Sequence, residues 1–373
     1  MKTYVSLALS LLAAAVSVHI EGAAQQLSYV YRNGEEGYQC FRIPTIVATK
    51  AGTLLAFAEG RKDNCGDAGN VDLVVKRSTN GGGSWSALHV VRDDSGNTCG
   101  NPVPVIDRAS GKVILLSTWN VGTDHEPQII AQTGQDTRRV FVSYSSDDGI
   151  TWTAAREITR DVKRPEWTWY ATGPANGIQL RQGAFKGRLV VPCDHIEAVT
   201  KKYFSHIIYS DDSGSTWKLG GSTPADQVNE CTVAELSTGD LMLNMRNAGP
   251  VRVRQTSVST DGGSHWSELC QDTALIEPVC QASLIRCEPN GTKPFLAFSN
   301  PASQDSRVNM TVRISYDDGK TWPVKTVLYT GPSAYSNLVL LSNGRPACLF
   351  EAGERSPYEG IVFKEVPGDA EGQ

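Results

Sequence analysis

Apolar and polar residues alternate in short runs along most of this 373-residue chain, and helical 3.6-residue periodicity is scarce. Segments such as Val113 to Leu116 and Arg188 to Val191 read as strands with one buried face. One run breaks the pattern. Val5 to Val16 is apolar apart from Ser6 and Ser10; it follows Lys2 and precedes the small residues Gly22, Ala23 and Ala24. The run is too short to span a bilayer, and no later stretch approaches the roughly 18 to 20 residues a span needs. It predicts a secretion signal over 1–24, with Ser17 and Ala24 both candidate last residues of the leader. The remainder, 25–373, is expected to be an exported single domain with no membrane insertion.

A turn pattern recurs between the strands. Variants of Ser-x-Asp-x-Gly-x-Thr-Trp start at Ser78, Ser145, Ser210, Ser259 and Ser315, spaced 67, 65, 49 and 56 residues apart. Asp and Gly suit a tight hairpin turn, the Asp as an Asx cap and the Gly by adopting positive φ, while Trp anchors the turn beneath its sheet. A motif returning at this period marks a repeated supersecondary unit, and four-stranded propeller blades have about this length. The mean spacing, about 59 residues, fits close to six times into the chain that follows the leader. The expected fold is an all-β, six-bladed propeller of four-stranded antiparallel blades. Five of the eight Trp residues lie in these boxes and are expected to pack, not to react.

Composition narrows the choice of partners. A net charge of −5 with no basic run argues against nucleic acid and against an anionic membrane surface. Nine cysteines leave at least one unpaired, and Cys65 with Cys99 and Cys280 with Cys287 are candidate pairs. No CxxC, HExxH or Cys/His cluster points to zinc, and no metal or organic cofactor is expected. Asn290-Gly-Thr and Asn309-Met-Thr are glycosylation sequons.

Three arginines stand in segments that blade building does not explain. Arg42 lies in Phe-Arg-Ile-Pro, Arg246 is 13 residues before the fourth box, and Arg307 is eight before the fifth. Propeller ligands bind where inner strands and their loops converge. Three guanidinium groups meeting there would clamp a carboxylate, because their planar forks match its two oxygens.

With the five boxes, Phe-Arg-Ile-Pro and the spaced arginines in view, the chain from about Tyr29 to Phe363 resembles the exo-sialidase (neuraminidase) family, specifically its bacterial-type retaining members. The resemblance implies hydrolysis of terminal α-linked sialic acid from sialylated glycans. It implies that Arg42, Arg246 and Arg307 bind the sugar carboxylate, with Glu351 orienting the first. Arg61 would be a fourth arginine reaching the O4 side of the sugar. Asp67, in Cys-Gly-Asp-Ala-Gly-Asn-Val-Asp, matches the acid/base, with Asp63 and Asp72 as nearby alternatives. Tyr335 matches the nucleophile and Glu230 the base beside it. A tyrosine replacing the second carboxylate is a recognised departure among glycoside hydrolases, sialidases included. It suits an anomeric carbon that bears a carboxylate, since a neutral phenol is not repelled until its proton leaves.

Asn101 is a candidate contact for the N-acyl group. Trp119, Asp124, Trp167, Trp169 and Tyr170 come from segments that line the pocket in similar sialidases, although buried aromatics are more often core. Pro192 to His195 departs from the tyrosines of the mammalian cytosolic members, and His195 reads as a satisfied loop histidine. The rivals are a trans-sialidase or a KDN-preferring hydrolase built on the same site, and a non-catalytic Asp-box propeller. Nothing in the sequence suggests more than a monomer.

Overall fold

The computed structural model describes residues 27–289 and 291–367, so the expected leader and the sequon at Asn290 lie outside the described residues. The fold is all-β, with two short helices, Glu126–Ala131 and Thr159–Val162. Its strands form hydrogen-bonded sheets of eight, seven, five and four strands. The eight-stranded sheet is two antiparallel meanders joined by a single parallel pair, Val71 with Thr98. The seven-stranded sheet is continuous because one long strand, Val324–Leu340, pairs with Val308–Ser315 and then with Pro346–Ala352. At the chain ends Tyr29–Arg32 pairs with Gly360–Glu365, so the first strand completes the last sheet. The strands foreseen at Val113 and Arg188 run longer than the alternation suggested, over Val113–Asn120 and Leu189–Glu197.

The five boxes fold alike. In the second, the Ser145 hydroxyl donates to Asp147 Oδ1 (2.8 Å) and accepts from the Gly149 N–H (2.9 Å), while the same Asp147 oxygen accepts from the Thr151 N–H (2.9 Å). Asn80 takes the aspartate's place in the first box. Each box glycine has positive φ, as at Gly149 (79°), and so does the residue before it, here Asp148 (64°). That position holds Gly, Asp or Ser in all five boxes, mostly residue types that enter the left-handed region at low cost. The Trp then docks on strands outside its own hairpin. Trp152 meets Phe57 edge-on at 5.7 Å, Trp266 donates to the Gly221 carbonyl at 3.0 Å, and Trp322 donates to Asp272 at 2.9 Å. Trp85 of the first box meets Phe363 of the C-terminal strand Gly360–Glu365 at 5.5 Å.

A second regularity sets up the site. Five strands pack side by side or through a shared neighbour, and each carries a register shift. The shifts fall between Arg42 and Thr45, Gly100 and Val103, Trp167 and Tyr170, Val228 and Cys231, and Ser333 and Ser336. A bulge bends its strand and re-aims the side chains beside it. Ile43 at the first bulge has φ 57°, a conformation that β-branched residues seldom adopt, and Asn101 at the second has φ 51°.

Both expected cysteine pairings are wrong. Cys40 is bonded to Cys65, and Cys99, Cys280 and Cys287 are free and buried. Cys99 is buried in an apolar cluster with Phe57 and Leu115, whereas Cys65 lies in an exposed loop. Cys280 lies against Tyr335, whereas Cys287 sits at the far end of the strand Ser283–Cys287 in a separate cluster.

Candidate active site

A cavity of about 340 Å³ opens where the bulged strands meet. Of the nine residues singled out as catalytic or substrate-binding, Asp67, Glu230, Tyr335, Asn101 and all four arginines line it. Glu351 lies just behind, fully buried.

Glu351 is the anchor of this arrangement. Its carboxylate accepts from Arg42 Nε (3.0 Å) and Nη2 (3.4 Å), from the Ile43 N–H (3.0 Å) and from the Tyr335 N–H (3.1 Å). One side chain from Pro346–Ala352 therefore fixes two bulges at once and holds the strained Ile43 in place. Burial works against the charge on Arg42, but Glu351, then Tyr335, Asp67 and Tyr358, together outweigh it and keep the guanidinium well above its usual pKa.

The phenol of Tyr335 donates to Glu230 Oε1 at 2.5 Å. Arg246 donates from Nη1 to Glu230 Oε2 at 2.6 Å and to the Tyr335 oxygen at 3.3 Å. The guanidinium groups of Arg42 and Arg307 stand 5.0 and 5.6 Å from the Tyr335 ring centre. Burial, then the negative charge of Glu230, raise the tyrosine pKa well above 10, against the opposing pull of Arg246 and Arg42. At neutral pH the resting phenol is therefore protonated, and Glu230 is the group in reach of its proton. Arg307, at the start of Val308–Ser315, donates to the Tyr358 hydroxyl (2.7 Å) and the Val279 carbonyl (3.1 Å).

Asp67 sits opposite, on the exposed loop between Leu54–Arg61 and Val71–Ser78. Its Oδ1 pairs with Arg61 at 2.8 Å and Arg42 at 3.4 Å. Partial desolvation pushes its pKa up, but Arg61 and Arg42 more than offset this and hold it below the usual carboxylate value. The alternatives fall away from the cavity. Asp72 is buried beneath the Tyr38 hydroxyl (2.7 Å) and the Lys62 ammonium (3.0 Å), and Asp63 does not line the pocket. The disulfide to Cys40 ties the Asp67 loop to the strand Cys40–Ala48, which carries Arg42.

Several lining groups carried no motif. Glu59 chelates Arg61 through Oε2 (2.6 and 3.0 Å), and its other oxygen accepts from the Asn101 N–H (2.8 Å). Its spacing of two from Arg61 puts both on one face of the strand, a signal the sequence did offer. Arg138 donates to Asn101 Oδ1 and to Thr118 (2.7 Å) and lies 4.1 Å from the Trp169 ring centre. Asp194 and Glu126 form an acidic wall, and burial raises the pKa of both. Tyr358 stacks 4.6 Å from Arg42.

Among the lesser candidates only Trp169 reaches the cavity. Trp119 donates to Asp94 (2.6 Å), and Asp124 caps the backbone N–H groups of Gln135 and Asp136. Trp167 and Tyr170 are buried core. His195 is in a strand and not in a loop: it stacks on Trp167 at 3.5 Å, and burial pushes its pKa down to about 3. Among the described residues no group of three or more His, Cys, Asp and Glu could hold a metal ion.

The cavity gathers the four predicted arginines, a Tyr–Glu pair and an exposed aspartate on an all-β scaffold, and comparison with known proteins places the chain in a family. The profile of the BNR repeat-like domain family matches residues 52–348. A sialidase of Micromonospora viridifaciens is 34% identical over 358 residues, which is 90% of this chain and 53% of that protein. This chain thus spans about half the length of that relative. A sialidase of Bacteroides fragilis is 30% identical over 98% of this chain and 72% of its own length. A solved Hadza microbial sialidase superposes with a TM-score of 0.82 at 29% identity, covering 92% of this chain and 68% of that one. The chain belongs to the exo-α-sialidase family of glycoside hydrolases.

Proposed function

We propose that this protein is an exo-α-sialidase that releases terminal sialic acid with retention of configuration, on a six-bladed propeller. The observation that carries the chemistry is the Tyr335–Glu230 contact of 2.5 Å, with Arg246 on the phenol oxygen and Arg42 and Arg307 against the ring. Six blades are supported by dividing the sheets at the parallel pair and at the middle of Val324–Leu340, with Tyr29–Arg32 completing the last blade. Docking of the first box on the C-terminal strand supports a closed ring.

In the first step the sugar carboxylate takes the guanidinium groups of Arg42, Arg246 and Arg307, which fixes the anomeric carbon above Tyr335. The phenol proton passes to Glu230 as the tyrosine oxygen bonds to that carbon. The bond to the aglycone oxygen breaks, and Asp67 protonates the leaving oxygen. Asp67 is ionised at rest because Arg61 and Arg42 hold it low. A substrate carboxylate on Arg42 withdraws part of that charge, raises the Asp67 pKa and readies it as an acid. In the second step Asp67 takes a proton from water, whose oxygen attacks the anomeric carbon. The tyrosine bond breaks, and the phenolate recovers its proton from Glu230.

Export, expected from the N-terminal apolar run, is supported by the Cys40–Cys65 disulfide, since such bonds persist in oxidising compartments. Release of a fluorogenic aglycone from an α-sialoside, by wild type and by Tyr335→Phe, tests the reading. Wild type turns over, and the variant keeps its fold and loses most of that rate. Inactivity of wild type on every sialoside would overturn the enzyme reading, and full activity of the variant would overturn the nucleophile. Sialyllactose formed in the presence of lactose would point to transfer instead.

A further inference from the structure

Behind the arginine cluster lies an ion pair that no catalytic step uses. Arg254 and Glu277 are both fully buried and pair at 2.9 Å. Such a pair is poor insurance for stability, because desolvating two charges costs about as much as their attraction returns. Replacing both partners with apolar residues is often neutral or stabilising. Its hydrogen bonds show what it does instead.

On one side the pair grips the strand Leu241–Asn247, which carries Arg246. Arg254 donates to the Asn244 side chain (2.7 Å) and carbonyl (3.3 Å), and Glu277 Oε1 accepts from the Asn247 N–H (2.7 Å), next in the chain to Arg246. On the other side it closes a turn at Cys280. Arg254 donates to the Cys280 carbonyl (2.8 Å), and Glu277 Oε2 accepts from the Cys280 N–H (3.3 Å). Every residue of that turn from Val279 onward meets the site. Val279 has φ 54°, a strained value for a β-branched residue, and its carbonyl receives Arg307 at 3.1 Å. Cys280 packs with Ile43, Ala334 and Tyr335. The Gln281 side chain accepts from the Ser336 N–H (2.9 Å) and donates to the Ser336 carbonyl (3.0 Å), gripping the residue after Tyr335.

We propose that the Arg254–Glu277 pair is a positioning device that sets Arg246, Arg307 and Tyr335 relative to one another, so that the clamp is preformed around the phenol. Neither residue lines the cavity, so the role is one of placement and not of contact with substrate. The inference rests on the sialidase reading for its kinetic consequence, but its structural consequence stands apart from that reading.

The test is Arg254→Met/Glu277→Leu, an apolar replacement of both partners. It should fold with a lowered Tm, because the buried Asn247 and Cys280 N–H groups and the Cys280 carbonyl lose their partners. It should also lose about 10- to 100-fold in kcat/KM on a sialoside, as expected for ligands displaced by about 1 Å. Preference for the free carboxylate over the methyl ester of the same sialoside should fall by a similar factor. Asp212→Ala, in the third box, should alter Tm but leave that preference intact. If the double variant fails to fold, Arg254→Lys keeps the charge, loses the fork and should show a smaller loss of the same kind. A crystal structure of whichever variant folds reads the placement without turnover, so an inactive wild type would sink the sialidase reading and leave this test in force. Unmoved Arg246 and Arg307 guanidinium groups, or wild-type ester discrimination in an active enzyme, would overturn the proposal.

Discussion

Removing the Cys40–Cys65 disulfide probes how the Asp67 loop is held. The bond closes a loop with a sequence separation of 25. By chain entropy that closure contributes about 3.5 kcal/mol through the unfolded state. With an unfolding entropy of about 2.1 cal/mol/K per residue, a chain of this length should lose about 5 °C of Tm without it. The loop does not come free, because Arg61 still donates to the Cys65 carbonyl (2.6 Å) and the Gly69 N–H still reaches Thr98 (3.1 Å). Asp67 should therefore loosen rather than depart. The kinetic consequence depends on the leaving group. An activated phenol leaves with little help from an acid, whereas a sugar hydroxyl needs its proton. Cys40→Ala/Cys65→Ser, or wild type treated with reductant, should lose about tenfold in kcat on sialyllactose and change little on an aryl sialoside. Cys65 is exposed, so reductant can reach it. An unchanged Tm, or equal losses on the two substrates, would refute the reasoning.

Three further outcomes follow from the site and core. An acid catalyst works only while protonated, so activity declines as pH rises through its pKa. Because Arg42 and Arg61 hold Asp67 low in the free enzyme, the alkaline limb of kcat should lie at higher pH than that of kcat/KM, and superimposed limbs would contradict the substrate-linked shift. Glu351→Ala strips Arg42, Ile43 and Tyr335 of their shared acceptor and leaves the buried Arg42 guanidinium only one carboxylate, Asp67 at 3.4 Å. It should cost about 3–5 kcal/mol of stability by chemical denaturation and at least a hundredfold in kcat/KM, and a stable, active variant would refute the anchoring role. His195 and His206 are buried, which holds the first down to about 3 and the second well below its usual value. The unfolded chain binds protons near pH 6.5 that the folded rings refuse, so stability is full above that pH and falls below it, by about 1.4 kcal/mol per pH unit for each ring. Urea midpoints from pH 7.5 to 5 should show this slope, and His195→Phe/His206→Gln should flatten it; an equal slope in both proteins would refute the assignment.

What could be read from the chain was local or repeated. The boxes announce themselves because each turn is built from residues within eight positions, and their period carried the repeat. The arginines were found as departures from that repeat. What could not be read depends on long-range pairing. The bulges at Arg42, Asn101, Glu230 and Tyr335 arise where two strands fall out of step, and neither strand records this alone. Glu351 bonding to both Ile43 and Tyr335 spans nearly the whole chain. The Cys40–Cys65 bond defeated the guesses because spacing says nothing about which cysteines face a core. Asp194 lay in plain view as a carboxylate in a largely apolar strand, yet strand alternation alone does not say which face meets the cavity.

The central claim is that the phenol of Tyr335 forms a bond to the sugar, and trapping that bond tests it most directly. A sialosyl fluoride with a second fluorine at C3 withdraws electron density and slows the second displacement. After incubation, intact-protein mass should rise by one sialosyl group, peptide mapping should place it on Tyr335, and Tyr335→Phe should remain unlabelled. A label on Glu230 or another carboxylate, or turnover with inversion and no covalent species, would contradict the account.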